Sequence, residues 1–159
     1  MNLLPFFEWC ETTGVGEYIR ASLWLFPVIE AFHLVAFAVL GGTVLLTNLR
    51  LLGLVMKTQP ASQVARDAHP WLLGSLIVMV ASGILLFLSE AVKCYYSFPF
   101  RVKIVSLFLA VIFTWTLHRR IASSHDQRVG KMRGRLAALV SLVLWGAVAW
   151  GGRWIGFSG

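Results

Sequence analysis

Four long apolar stretches leave this chain few ways to fold. They run roughly over Ala21–Leu46, Trp71–Leu88, Phe100–Leu117 and Leu136–Trp154. Each is close to the ~20 residues a helix needs to cross a hydrocarbon core. None shows the period-two alternation of a transmembrane β-barrel. The expectation is an all-α integral membrane four-helix bundle, a single domain over residues 1–159. Composition agrees, with 58% hydrophobic and only 13% charged residues, where soluble domains carry about 25% charged.

The net charge of +7 fits cytoplasmic loops of a membrane protein better than nucleic acid. No soluble domain is left over to bind nucleic acid. The first loop holds Arg50, Lys57 and Arg66, and the third holds Arg119, Arg120, Arg128, Lys131, Arg133 and Arg135. With four spans these loops share one side. The other side has only Arg20, Lys93, Arg101, Lys103 and Arg153. The asymmetry places both termini outside, in a bacterial inner membrane.

Asn2–Arg20 is too polar to span, and Phe6, Phe7, Trp9 and Tyr18 suit a segment lying on the outer surface. It does not read as a signal peptide, because Glu8, Glu11, Glu17 and Arg20 interrupt it and no basic n-region precedes it. Trp150 and Trp154, with Trp145 a little deeper, suit an aromatic belt. Cys10 and Cys94 share the outer side, where either a disulfide or two free thiols is compatible with the sequence. Neither has a second Cys or a His at chelating spacing.

His33 lies near the middle of the first span, with Glu30 one turn before it. An ionisable residue at that depth marks a functional site by default. On a helical wheel Glu30, His33, Phe37, Gly41, Val44 and Asn48 share a face. Gly41 and Gly42 permit close approach to the backbone, most simply by a packed helix. On the second span Trp71, Ser75, Met79, Ser82, Leu86 and Glu90 align, and on the third Lys103, Ser106, Ala110, Thr114 and His118. The fourth has no ionisable residue before Arg153 and reads as a structural wall.

Three mildly polar faces imply a shared interior of the kind that holds a ligand. Two histidines on facing helices can hold a b-type haem. His33 falls roughly 18 Å from the outer start of its span and His118 roughly 27 Å down its own. His69, which opens the second span, is the other candidate opposite His33. Arg50, Arg119 and Arg120 are placed to receive propionates or to anchor the inner surface. His33 as a structural histidine, bonded to Glu30 or to a hydroxyl on another span, is the competing reading. Glu30 and Lys103 form an ion pair, or Lys103 snorkels to the interface. His125 falls in a polar loop and reads as solvated.

The run Ser22-Leu-Trp-Leu-Phe-Pro-Val-Ile-Glu-Ala-Phe-His33, continuing to Asn48-Leu-Arg50-Leu-Leu-Gly53, resembles a family of small bacterial four-span membrane proteins of unknown function. His69-Pro70-Trp71, Ser82-Gly83 and Phe100-Arg-Val-Lys103 fit the same pattern. More distantly, the layout is similar to that of the copper-resistance CopD membrane proteins and the four-span protoporphyrinogen oxidases. The latter resemblance implies haem or porphyrin chemistry at His33 and Lys103. Those oxidases place a histidine closer behind the lysine than His118 is. The interior offers copper(I), which prefers sulfur, only Met79.

The sequence therefore predicts a membrane protein that binds haem b or a related porphyrin, with an electron-transfer or haem-linked redox role. His33 and His118 are the candidate iron ligands, and His69, Glu30, Lys103 and Arg50 are further cofactor contacts. A redox partner, a larger membrane complex or a homo-oligomer would accompany such a role. The alternative is a cofactor-free accessory subunit, or a protein handling a small solute or a proton.

Overall fold

The computed structural model describes residues 3–123 and 131–155. All its elements are helices: α1 (Leu4–Glu11), α2 (Gly14–Ala21), α3 (Leu25–Leu52), α4 (Ala61–Ser89), α5 (Ala91–Tyr96), α6 (Phe98–Ser123) and α7 (Lys131–Ile155). Four of them, α3, α4, α6 and α7, are long and apolar enough to cross a membrane. Hydrocarbon leaves backbone groups no other partner, so the helix is the local solution for each stretch.

The boundaries differ from expectation for local reasons. The first span starts at Leu25 rather than Ala21, because α2 ends at Ala21 and the Ser22 hydroxyl accepts from the Leu25 N–H at 3.3 Å. It ends at Gly53, whose left-handed φ of 78° suits a residue without Cβ. The second span gains turns before Trp71, where Val64, Ala65 and Ala68 are buried. Pro70 lies inside α4 and removes one ladder hydrogen bond. Trp71 does not face the interior as the wheel suggested; it is 66% exposed.

In the bundle α3 packs against α4 and α7, and α6 against α7 and α4, so α3 and α6 are diagonal. The core joins Ala36, Leu40 and Val44 to Leu72 and Met79, Ala110, Trp145 and Val148. Among the described residues, three seams carry a polar tie. Asn48 Nδ2 donates to Ser141 Oγ at 2.9 Å, Trp145 Nε1 donates to Thr114 Oγ1 at 3.0 Å, and His33 bonds Ser82 at 2.9 Å. Trp145 is thus a core residue rather than part of a belt. Around Gly41 and Gly42 nothing lies within 4 Å of where a Cβ would stand, so these two do not mediate packing within the bundle.

The N-terminal helices cap one end of the bundle. Arg20 donates through Nη1 to the Ser89 carbonyl at 3.0 Å and through Nη2 to the Glu11 carbonyl at 2.8 Å. Glu11 Oε2 accepts from the Val92 N–H at 2.7 Å. Both contacts fasten the cap to the corner at Glu90, where α4 gives way to α5.

Gly16 sits directly against the Leu88 carbonyl, and a Cβ there would collide with backbone oxygen. Gly16→Ala is expected to loosen the cap, at an overpacking cost of about 1–3 kcal/mol. Faster tryptic cleavage after Arg20 and a lower thermal midpoint would register it. Gly14→Ala, with nothing within 4 Å of its Cβ position, should leave both unchanged.

Candidate functional site

A cavity of about 420 Å³ opens in the half of the bundle that carries α5. All four spans line it. From α3 come Glu30, His33 and Phe37, from α4 Met79 and Gly83, from the corner after it Glu90, from α6 Phe100 and Lys103, and from α7 Val148, Gly152 and Arg153. Helix α5 adds Lys93 and Cys94. The lining is mostly apolar with a few polar groups, and the size falls in the range of small-molecule sites.

His33 is half-buried and faces the α4 backbone at Gly83, where a Cβ would stand 3.2 Å from its Cε1. A Cβ there would make the ring give way by a few tenths of an ångström. The Ser82 hydroxyl lies 2.6 Å from the Val78 carbonyl, 3.3 Å from the Met79 carbonyl and 2.9 Å from His33 Nδ1. The direction of the bond to His33 follows the imidazole tautomer. In the tautomer in which the hydroxyl donates within α4, Nδ1 is the N–H and Nε2 keeps its free electron pair. Of the two partners the sequence offered His33, Glu30 or a hydroxyl on another span, the structure provides the hydroxyl.

Lys103 is half-buried and packs against α7. A Cβ on Gly151 would meet Lys103 Cβ at 3.0 Å, and one on Gly152 would meet its Cε and Nζ at 3.7 Å. The fourth span is therefore more than a structural wall, since its glycine pair makes the groove in which the lysine stem lies. No salt bridge joins Glu30 to Lys103 among the described residues. Glu90 instead pairs with Lys93 at 3.7 Å.

The other expected site residues lie elsewhere. His69 does not line the cavity; its ring centre is 6.1 Å from that of Trp115, over which the Arg119 guanidinium stands at 5.2 Å. Arg50 donates from Nε to the Gln59 carbonyl at 2.8 Å and holds the loop after α3. The His118 and Arg120 side chains, and His125 altogether, lie outside the described residues. The backbone still places residue 118 roughly 30 Å along α6, whereas His33 is roughly 12 Å along α3, counting ~1.5 Å per residue. Among the described residues, no group of three or more His, Cys, Asp or Glu is placed to hold a bare metal ion.

Cys10 and Cys94 are both buried and both free thiols, so the disulfide is not formed. Burial pushes the Cys94 thiol up to about 11, and the Glu90 carboxylate adds to the shift. The sequence allows Cys94 either a bridge or a free thiol, and gives no sign of its place in the cavity wall.

The chain belongs to a family of unknown function (DUF6644), whose model matches residues 6–158. No curated protein and no solved structure matches it. The resemblance to CopD proteins and to four-span protoporphyrinogen oxidases finds no support in these comparisons.

The raised thiol value sets a pH window. The folded state holds the Cys94 proton more tightly than the unfolded chain. That contribution is complete below the ordinary thiol value of 9.0 and is lost as pH climbs through about 11. Across that interval the thermal midpoint of the wild type is expected to fall more steeply than that of Cys94→Ala. Maleimide should label Cys94 slowly near neutral pH until the protein is unfolded.

Proposed function

We propose that this member of the family binds haem b or a closely related porphyrin in the cavity beside α5. Nε2 of His33 is the iron ligand, and the role is electron transfer or a haem-linked redox step. One observation carries the reading: Ser82 holds His33 by Nδ1, so that in the Nδ1–H tautomer the ligating electron pair of Nε2 stands free on a ring that forms part of the cavity wall. Metal-bound histidines are typically oriented by a hydrogen bond from the other ring nitrogen. The aromatic lining from Phe37, Phe87 and Phe100 suits a flat apolar body.

A bound iron porphyrin would supply a reversible one-electron centre. This chain's own residues would orient it and exclude water from it. His69 lies outside the cavity and has no part in this assignment. The charge asymmetry of the loops supports an outward placement of the cavity in a bacterial inner membrane.

A second reading, a cofactor-free protein that handles a small solute or a proton, is favoured by Glu30. That carboxylate lines the cavity close to His33 in sequence and is in no salt bridge among the described residues.

Spectra of the detergent-purified protein separate the two. A Soret band and a sharp dithionite-reduced α-band are expected from the wild type, and His33→Ala should lose both. Ser82→Ala should keep the pigment but weaken its retention about 10–100-fold, the usual effect of removing such a supporting hydrogen bond. A folded wild type that stays colourless after haem is supplied would sink the haem reading and leave the cofactor-free one.

A further inference from the structure

The cations of this chain differ in what they face. Arg20 is engaged by two carbonyls and Glu11. Lys93 is paired with Glu90. Arg101 donates to the Tyr95 carbonyl at 3.0 Å and is exposed. Arg50, which the sequence offered as a propionate site, is spent on the Gln59 carbonyl and does not line the cavity.

Lys103 is the contrasting case. Its stem lies in the groove over Gly151 and Gly152, its ammonium is against Gly152, and it lines the cavity. No carboxylate among the described residues comes within salt-bridge distance of it. A charge held in an apolar wall is costly unless an opposite charge meets it. The two acids that share the cavity are Glu90, which Lys93 occupies, and Glu30 on α3, which is diagonal to α6.

We infer that Lys103 docks a carboxylate of the cavity's ligand, so that the acidic edge of the ligand lies against α6 and α7 rather than at Arg50, Arg119 and Arg120. This rests on the porphyrin reading above. The glycine pair gives the inference its specificity. Any side chain at residue 152 would stand in ordinary contact with the ammonium, and one at residue 151 would collide with the α6 backbone at the Pro99 carbonyl and with the base of the lysine stem. The groove therefore fixes where this charge is presented, apart from Lys93 and Arg153, the other cations of the cavity wall.

The test compares protoporphyrin IX with its dimethyl ester, both iron-free, by absorbance and fluorescence titration of the detergent-purified full-length protein. The diacid is expected to bind roughly ten- to hundred-fold more tightly than the ester, the scale of a charge-assisted hydrogen bond. Lys103→Met should abolish that preference while leaving ester binding in place, and Lys103→Arg should retain part of it. Equal binding of diacid and ester by the wild type would overturn the inference without any variant, and leave porphyrin binding itself standing. A preference that persists in a folded Lys103→Met would overturn it too. If neither compound binds the wild type, the porphyrin reading falls and the inference falls with it.

Discussion

Side-chain hydrogen bonds between helices carry much of the specificity of this bundle. Lipid tails are as apolar as leucine, so burial alone gives one helix no reason to prefer another. Close packing and a few polar ties must choose the arrangement. Asn48 with Ser141 ties α3 to α7, Thr114 with Trp145 ties α6 to α7, and His33 with Ser82 ties α3 to α4. Such bonds contribute modestly, about 0.6 kcal/mol on average. Their greater effect is on register, since each group would otherwise be stranded in hydrocarbon. The third tie does two things at once: it joins two spans, and it orients a ring that lines the cavity.

The cavity forms where the helices stop running straight. At Glu90 α4 breaks into α5, and that corner delivers Glu90, Lys93 and Cys94 to one edge of the cavity. Across the bundle, α7 contributes two adjacent glycines that let the stem of Lys103 lie flat. The site thus depends on a broken helix, a glycine pair and a glycine beside an imidazole. None of these is polar, yet each decides where a polar group sits.

Much of the fold was legible because transmembrane helices declare themselves by length and apolarity. The inward faces were largely legible too. Ser75, Met79 and Ser82, Val44 and Asn48, and Ala110 and Thr114 are buried as the wheels required. Trp71 departed from its arc, and Trp145 was assigned to the interface when its indole N–H was needed by Thr114. Gly41 and Gly42 looked like contact points and are not, whereas Gly83, Gly151 and Gly152 are. A glycine shows only that something can come close; which glycine is approached depends on helix rotation, which no local pattern encodes. Of the candidate site, His33, Glu30 and Lys103 came together, while His69 and Arg50 did not.

The clasp at Arg20 bears on how the protein is made. Its carbonyl partner on α4 lies 69 residues further along the chain, and the partner of Glu11 lies 81 residues further. During synthesis α1 and α2 are made before these two partners, and hold only each other through Arg20 and Glu11. They must wait at the bilayer surface until the second span has been inserted and its end has turned into α5. The amphipathic character of α1 and α2 suits that wait, because exposed Trp9 and Tyr18 can rest at the headgroups. The two helices are therefore made before the segments they dock on, and their docking completes the corner that borders the cavity.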